Sequence, residues 1–168
     1  MHISAVEEYG LRCALQLAYL APGEQLAASE IAAREGISVQ YASKIMHLFR
    51  KAELVQATRG MQGGFRLSAL PEAIPLKNVF AALREEEDAT FCGQYKGNQE
   101  SCVHLGGCSV RPVWQTLSSF FDSVLEKLSL ADLARGEVET RKRVELFAKS
   151  EAERIEKRFK HSEKTERE

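Results

Sequence analysis

Residues 28–68, ASEIAAREGISVQYASKIMHLFRKAELVQATRGMQGGFRLS, decide the fold. Ser29 is a candidate N-cap of a first helix, and Gly36 is a candidate left-handed terminator of that helix. Ser38 can cap a second helix directly, which we predict over about residues 39–52. Two helices joined by so short a glycine-containing turn are typical of a helix-turn-helix.

The second helix separates apolar from polar residues. Its apolar side comprises Tyr41, Ala42, Ile45, Leu48 and Phe49, which recur at helical spacing. Its polar side comprises Gln40, Ser43, Lys44, His47 and Lys51, with Arg50 beside them. Glutamine can pair with adenine, lysine and arginine with guanine or phosphate, and serine with either. A solvated surface helix would also be polar on one side, so this helix alone does not decide for DNA.

A short hairpin follows the helix-turn-helix. Residues 54–58 are predicted to form a strand, 59–64 a turn, and 65–68 a returning strand. Arg59 and Arg66 flank the hairpin tip, where a wing meets phosphates or a minor groove. A helix-turn-helix followed at once by a hairpin is the layout of a winged helix, which favours DNA binding.

Basic charge is concentrated in this part of a chain whose formal net charge is −1. Between Ile37 and Leu67, Glu53 is the one acidic residue. The basic residues of the same stretch are Lys44, Arg50, Lys51, Arg59 and Arg66. The electrostatic argument for nucleic acid therefore comes from local clustering and not from the charge of the whole chain.

Helical patterns extend before and after the winged helix. Ser4 and Glu7 have the spacing of a capping box, and apolar residues then recur at helical spacing as far as Pro22-Gly23. Cys13 lies within that apolar pattern and is interpreted as a small buried hydrophobe. A further helix is predicted from about residue 74 to residue 83.

Three of the four cysteines lie in a glycine-rich segment, residues 91–114, FCGQYKGNQESCVHLGGCSVRPVW. Nine residues separate Cys92 from Cys102, and five separate Cys102 from Cys108. The segment contains little that could form a core, so something other than packing must fix its shape. Thiolates are the ligands that soft metals and iron–sulfur clusters prefer. Clustered cysteines in a reducing compartment are more often ligands or redox centres than disulfides.

A long amphipathic helix is predicted after the last cysteine. Its apolar residues recur at steps of three and four, and they are Val113, Leu117, Phe120, Phe121, Val124, Leu125 and Leu128. This is more apolar surface than a small winged-helix core needs, so we predict that the helix pairs with its copy in a dimer. The charged residues that follow predict a loose helix that frays into disorder.

The predicted architecture is mainly α with a small β-hairpin wing. A winged helix-turn-helix DNA-binding domain over 1–85 is followed by a cysteine-containing cluster-binding loop over 86–108. A dimerisation helix over 109–135 and a charged, partly disordered tail over 136–168 complete the chain. We expect a cytoplasmic protein without a membrane span, because the N-terminus has no signal-peptide pattern and no uncharged apolar stretch is long enough.

The sequence carries no arrangement typical of an enzyme. We find no nucleophile–base pairing, phosphate loop or pair of catalytic carboxylates. The glycines of residues 60–64 lie in a predicted hairpin and do not open a helix, so they are not a nucleotide cradle. We therefore predict a binding protein and not an enzyme.

Four features together resemble a known family. They are Ile3-Ser4 with Tyr9-Gly10-Leu11-Arg12, Ile37-Ser38 with Tyr41, the run RGMQGGFRL over 59–67, and three cysteines ahead of a long helix. The chain resembles the Rrf-type (BadM-like) winged helix-turn-helix transcriptional regulators, in particular their iron–sulfur group. The resemblance implies a homodimer that binds a palindromic promoter site in double-stranded DNA, as a repressor or an activator.

The same resemblance implies which residues contact DNA. On the second helix of the helix-turn-helix these are Ser38, Gln40, Ser43 and Lys44, and His47 and Lys51 lie on the same polar side. On the wing they are Arg59, Gly60, Gly63 and Arg66.

The resemblance also implies that Cys92, Cys102 and Cys108 hold an iron–sulfur cluster, [2Fe–2S] or [4Fe–4S], that senses nitric oxide, redox or iron–sulfur status. The first cysteine gap is longer than the five residues usual in the family. Arg111 stands where some members carry a histidine ligand, and an arginine cannot serve. Glu8 stands where other members supply an acidic ligand from the partner subunit, and His104 is the rival fourth ligand.

Two alternatives keep the fold and the DNA binding but change the chemistry of the cysteines. In the first, the regulator is metal-free and responds to thiol oxidation, through sulfenate or disulfide formation. In the second, the cysteines and His104 hold a structural zinc ion.

Overall fold

The computed structural model describes residues 3–58, 60, 63–84, 102–104 and 107–165, with 158–165 described by backbone alone. The helices are α1 Ala5–Ala18, α2 Ala28–Glu35, α3 Val39–Lys51, α4 Leu76–Leu83, α5 Arg111–Lys127, α6 Leu130–Ala134 and α7 Glu137–Thr165. The strands are β1 Val55–Ala57 and β2 Phe65–Leu67, and a 3-10 turn spans Pro71–Ala73. The predicted class, mainly α with a small hairpin wing, is confirmed. No helix in the described ranges combines the length and the apolarity that crossing a membrane requires.

The chain forms two compact units. The first comprises Met1–Arg84 and Leu125–Arg143, and the second comprises Glu85–Val124 and Val144–Glu168. Every buried hydrophobic side chain found among the described residues belongs to the first unit. The hydrophobic core that stabilises the described fold is therefore the core of the first unit.

Local capping chemistry fixes the start of α1 and of α2. The predicted capping box is present, since the Ser4 hydroxyl accepts from the Glu7 amide and the Glu7 carboxylate accepts from the Ser4 amide. The predicted cap at Ser29 is wrong, because α2 begins one residue before it. The Glu30 carboxylate accepts a hydrogen bond of 2.7 Å from the amide of Ala27. The Ala27 N–H at the start of the helix is therefore satisfied without a capping hydroxyl.

The turn of the helix-turn-helix forms as predicted. Gly36 has φ of 66°, so it ends α2 in the left-handed region that glycine tolerates best. Ser38 caps α3, and its hydroxyl accepts from the amide of Tyr41 at 3.1 Å. Of the predicted apolar side of α3, Ala42, Ile45 and Phe49 are buried, together with Met46, which the pattern missed.

Helix α1 is the central element of the first unit, where it packs against α2, α3, α4, α6 and β2. Leu83 of α4 packs against α1 at Gly10. A Cβ atom added at Gly10 would lie 2.6 Å from Cδ2 of Leu83 and closer still to Cδ1. Cys13, one turn further on, is fully buried, as the sequence predicts.

The wing is an antiparallel hairpin in which Gln56 lies opposite Arg66. Its second strand also pairs with the loop that precedes α2, because Leu26 and Phe65 exchange backbone hydrogen bonds of 3.0 and 2.8 Å. A Cβ atom added at Gly64 would lie 2.7 Å from the carbonyl oxygen of Leu26. Gly64 is therefore required by a close backbone approach at the base of the wing.

The single helix predicted for 109–135 is interrupted. α5 ends at Lys127 and α6 begins at Leu130. The backbone between them bonds elsewhere, because the Leu76 amide donates to Leu128 at 2.8 Å and the Leu130 amide donates to the Ile74 carbonyl at 3.0 Å. These long-range bonds replace the hydrogen bonds that a continuous helix would make.

A second capping box starts α6. The Ser129 amide donates to Asp132 at 3.0 Å, and the Asp132 amide donates to the Ser129 hydroxyl at 3.3 Å. Burial alone would raise the pKa of Asp132, but hydrogen bonds from Ser129 and Arg143 hold it below its usual range. Asp132 is thus kept ionised in the first turn of α6, where it pairs with Arg143 of α7.

The C-terminal segment is helical over Glu137–Thr165, although its sequence predicts a loose helix fraying into disorder. In the second unit, Glu151 is 1% exposed and forms an ion pair with Arg154. The Arg154 guanidinium also donates to the Ser123 hydroxyl at 3.2 Å, which ties α7 to α5. One side-chain contact between residues far apart in the sequence, Arg154 to Ser123, therefore joins this helix to α5.

We predict that Gly64→Ala lowers the free energy of unfolding by about 1–3 kcal/mol, because the new methyl group would meet a backbone carbonyl that cannot rotate away. Urea denaturation followed by circular dichroism measures the change. Gly107→Ala is the matched control, since a Cβ there meets nothing within 4 Å. Equal stability of the two variants would contradict the close approach at Leu26.

Candidate nucleic-acid interface and thiol site

The exposed side of α3 carries the predicted DNA-contacting residues. Burial of its opposite side in the core holds the helix in place, and its N-terminus is fixed by the Ser38 cap. Six of the predicted side chains are exposed, namely Ser38, Gln40, Ser43, Lys44, His47 and Lys51. Arg50 is exposed as well, and its guanidinium lies 3.4 Å from Nδ1 of His47. The structure therefore brings hydrogen-bonding and basic groups together on one accessible helix surface.

Arg66 is held in place on the wing. Its guanidinium donates two hydrogen bonds, of 3.3 and 3.0 Å, to the side-chain oxygen of Gln56 on the neighbouring strand. The Arg66 side chain is exposed, so its positive charge is accessible to a ligand. The hydrogen bonds to Gln56 fix the orientation of the guanidinium. The sequence analysis missed the role of Gln56. The strand register could have found it, because residues directly opposite each other in a hairpin interact.

The turn at the tip of the wing depends on glycine. Gly60 has φ of 115°, which side chains other than glycine rarely adopt. The Gly63 amide donates to the Gly60 carbonyl at 2.9 Å and closes the turn. Thr58 completes the base, because its amide donates to the Gly64 carbonyl at 3.0 Å. Arg59, the other predicted wing contact, lies outside the described residues.

The thiol site is described in part. Cys102 and Cys108 are free and partly exposed, and they lie just before α5. Their donor chemistry fits a cluster or a soft metal, which takes accessible thiolates. Within the described ranges no three His, Cys, Asp or Glu side chains gather at one point. Cys92 lies outside those ranges, so the structure does not assemble the predicted ligand set.

His104 and Arg111 shape the loop between the two described thiols. Arg111 donates from its guanidinium to the His104 carbonyl at 2.9 Å, and its amide donates to the Cys108 carbonyl at 3.3 Å. The His104 carbonyl also accepts from the Gly107 amide at 3.3 Å. Arg111, which cannot ligate a metal, therefore attaches the loop to the start of α5. The His104 side chain is exposed.

Two further sequence-predicted residues have contrasting surroundings. Glu8 is exposed in the first turn of α1, so its carboxylate is accessible from outside the subunit. Cys13 is buried, and burial together with the nearby Glu35 raises the pKa of its thiol to about 12. Because the thiolate is the reactive and metal-binding form, Cys13 does not take part in the thiol chemistry.

Buried carboxylates connect α1 to its neighbours, and the sequence analysis did not single them out. Glu35, at the end of α2, accepts from Arg12 at 2.6 Å and from Gln16 at 2.5 Å. Glu7 pairs with Arg84 at 3.2 Å. Burial alone would raise the pKa of Glu7, but hydrogen bonds from Ser4 and Arg84 hold it below its usual range.

Comparison with protein families matches residues 3–136 to the family Rrf2, described as "Iron-dependent Transcriptional regulator". The match begins just before α1 and ends at the junction between α6 and α7. α7 lies outside it.

Curated relatives agree with that match. The protein rrf2 of Nitratidesulfovibrio vulgaris is 31% identical over 135 residues, which cover 80% of this chain and 88% of the relative. The HTH-type transcriptional regulator IscR of Aliivibrio salmonicida is 32% identical over 133 residues, which cover 79% of this chain and 77% of the relative.

Solved structures show the same fold. IscR of T. potens matches with a TM-score of 0.63 and 24% identity, over 80% of this chain and 87% of that structure. CymR, the global cysteine regulator of B. subtilis, matches with a TM-score of 0.66 and 24% identity, over 80% of this chain and 97% of that structure. The winged helix-turn-helix predicted from residues 28–68 is confirmed.

We predict that Lys44→Ala weakens binding to duplex DNA about tenfold and lowers the slope of log affinity against log salt by about 1, because one phosphate contact is lost. Fluorescence anisotropy at several salt concentrations measures both. Lys149→Ala is the matched control, since Lys149 is exposed on α7. If Lys44→Ala kept the affinity and the salt slope of the parent chain, the exposed side of α3 would not be the DNA-contacting surface.

Proposed function

The chain belongs to the Rrf2 family of transcriptional regulators, and we propose that its promoter affinity is switched by an iron–sulfur cluster held by Cys92, Cys102 and Cys108. Its relatives are transcriptional regulators and not enzymes, in agreement with the sequence.

The observation that carries the proposal is the placement of Cys102 and Cys108. Both thiols are free and partly exposed, and they precede the first residue of α5, Arg111, by nine and three residues. The hydrogen bonds from Arg111 connect their loop to the first turn of that helix. A constraint on the two sulfur atoms therefore acts directly on the start of α5. The family description as iron-dependent supports iron as the metal.

A bound cluster would supply a redox-active iron centre that also reacts with nitric oxide. Cys92, Cys102 and Cys108 would provide three thiolates, and the fourth ligand would be Glu8 of the partner subunit or His104. Exposure of Glu8 in the first turn of α1 suits a ligand that is donated to another subunit. Carboxylate and imidazole are both acceptable ligands for iron.

Promoter DNA would be contacted by the exposed side of α3 and by the wing. On α3 the contacting residues would be Ser38, Gln40, Ser43, Lys44, His47 and Lys51. On the wing they would be Arg59, Gly60, Gly63 and Arg66. Gln40 and Lys44 supply groups that read base edges or bind phosphate, and Arg66 is aimed by Gln56. Two such surfaces in a dimer would read the two halves of a palindromic site in the cytoplasm.

Homodimer formation is supported by the uncovered side of α5. Leu125 is the only buried residue described for this 17-residue helix, and it lies in the first unit. In the second unit, Val113 and Leu117 are 53% and 50% exposed. Apolar residues that recur along one side of a long helix and remain exposed in the isolated subunit fit a helix that pairs with its own copy.

A thiol-based switch is the second candidate. The observation that favours it is the accessibility of Cys102 and Cys108, because exposed thiols can form a sulfenate or a disulfide. This switch would use the same connection to α5 but would need no metal. A structural zinc site with His104 is the remaining alternative, and metal analysis distinguishes it.

We predict that the chain purified without oxygen is coloured and contains iron and acid-labile sulfide. Cys92→Ala, Cys102→Ala and Cys108→Ala should each lose most of both, because each removes one thiolate ligand. Visible absorbance with iron, sulfide and zinc analysis measures the loading. Cys13→Ala is the matched control and should keep its iron, since that thiol is buried and protonated.

The result separates the alternatives. A colourless, iron-free protein after anaerobic purification and reconstitution would contradict the cluster. Bound zinc would then identify the structural zinc site. Metal-free protein whose Cys102 and Cys108 are oxidised by peroxide, as read by mass spectrometry, would identify the thiol switch.

We also predict that Leu117→Glu halves the mass of the assembly from twice 18.8 kDa to 18.8 kDa, because a charge in a buried apolar interface is costly. Light scattering after gel filtration measures the mass. Leu70→Glu is the control, because Leu70 is 67% exposed in the first unit. A Leu117→Glu protein that stays dimeric would rule out this side of α5 as the interface.

A further inference from the structure

One apolar side chain lies on the otherwise polar, exposed side of α3. Val39 is the first residue of the helix and is 51% exposed. Every other apolar residue of α3 is buried or half-buried. The other exposed residues of the helix are all polar or charged, namely Gln40, Ser43, Lys44, His47, Arg50 and Lys51. A single exposed valine is ordinary on a protein surface, so its place in the helix decides what it can contact.

Val39 lies at the end of α3 that a helix-turn-helix presents to base edges. In such motifs the N-terminal residues of the second helix contact bases in the major groove. Residues four apart are neighbours on a helix surface, so Val39 lies beside Ser43, and Gln40 lies beside Lys44. All four side chains are exposed. Val39 therefore belongs to the same surface as the residues proposed to contact DNA.

The backbone that carries Val39 is fixed on both sides of this residue. The Ser38 hydroxyl accepts from the Tyr41 amide at 3.1 Å, and the Ser38 carbonyl accepts from the Ala42 amide at 3.0 Å. The Tyr41 ring packs edge-on against Tyr9 of α1, with ring centroids 5.9 Å apart. A valine is branched at Cβ, which leaves one strongly preferred rotamer in a helix. Because little freedom remains to be lost, a contact made by its methyl groups costs little ordering entropy.

The edges of base pairs present one apolar group in the major groove. It is the C5-methyl group of thymine, and the other groups that identify the bases there are hydrogen-bond donors and acceptors. The side chain of Val39 can neither donate nor accept a hydrogen bond, so it adds affinity only where it removes apolar surface from water. A phosphate offers it no such contact. The one group of the groove that suits Val39 is therefore the methyl group of thymine.

We infer that Val39 reads a thymine in each half of the DNA site, through contact between its methyl groups and the C5-methyl group of that base. Gln40, the next residue, supplies the amide that pairs with adenine. The first turn of α3 thus selects a thymine and an adenine in the same half-site, one by apolar contact and the other by hydrogen bonds. This assignment rests on the proposed function, in which the exposed side of α3 contacts DNA.

Replacement of thymine by deoxyuridine tests the contact, because the two bases differ only in the C5-methyl group. A duplex is selected from random sequences by the full-length chain, in the iron state that binds more tightly, and is remade with one thymine at a time replaced. Fluorescence anisotropy gives each dissociation constant. At one thymine in each half-site, binding should weaken about fourfold, the effect of one buried methyl group. Equal affinity for all these duplexes would overturn the inference.

Variants at position 39 assign the methyl effect to this residue. Val39→Ala keeps a good helix former but removes the Cγ atoms, so its constants for the thymine and deoxyuridine duplexes should agree within about 1.5-fold. Val39→Ile keeps the branched Cβ and should keep the preference of about fourfold. Val138→Ala is the matched control, since Val138 is 67% exposed on α7, and it should keep the preference too. A disturbed α3 would weaken binding to both duplexes alike, so an unchanged ratio in Val39→Ala would overturn the inference.

Gln40→Ala separates the two contacts of the first turn. It should weaken binding but keep the preference of about fourfold for thymine over deoxyuridine at the position assigned to Val39. Selection from random sequences by Val39→Ala should lose the preference for that thymine and keep the other preferred bases. A parent chain that selects no sequence would contradict the proposed DNA contacts of α3 and the inference together. A parent chain that selects a site without a thymine that depends on Val39 would overturn the inference alone.

Discussion

The close approach of α4 to α1 at Gly10 is the constraint on which the first unit depends. Because Gly10 has no side chain, the Leu83 side chain packs against the backbone of α1 and is buried. The same approach brings Arg84 within reach of Glu7. α1 also contacts α2, α3, α6 and β2, so its position determines how the helix-turn-helix and the wing are held. A larger residue at position 10 would separate the two helices and remove both contacts together.

The two units use their apolar residues in different ways. In the first unit, apolar side chains from helices and hairpin form a closed core, which leaves the polar side of α3 free to contact DNA. In the second unit, Glu151 is fully buried while Val113 and Leu117 remain exposed. Its ion-pair partner, Arg154, is 57% exposed, so the pair joins a buried carboxylate to a guanidinium at the surface. Covering the apolar side of α5 by a second copy would supply the missing stabilisation.

Local chemistry explains which parts of the fold could be predicted from the sequence. The caps at Ser4 and Ser38 and the turn at Gly36 each depend on groups a few residues apart. The end of α5 depends on backbone partners near Ile74, far earlier in the chain. The pair of Glu7 and Arg84 spans 77 residues. Contacts between residues so far apart depend on how the helices pack together, and the spacing of apolar residues along the sequence does not reveal that packing. The exposed polar side of α3 was predictable because residues at helical spacing must share one side of the helix.

We propose that the state of the cysteine segment changes the affinity of the chain for DNA. The most direct measurement is the dissociation constant of one preparation for a duplex selected from random sequences, first as purified without oxygen and again after iron removal. We expect the two constants to differ at least about fivefold, and we expect bound DNA to change the equilibrium affinity for iron by the same factor. Equal constants for iron-loaded and iron-free protein would contradict it.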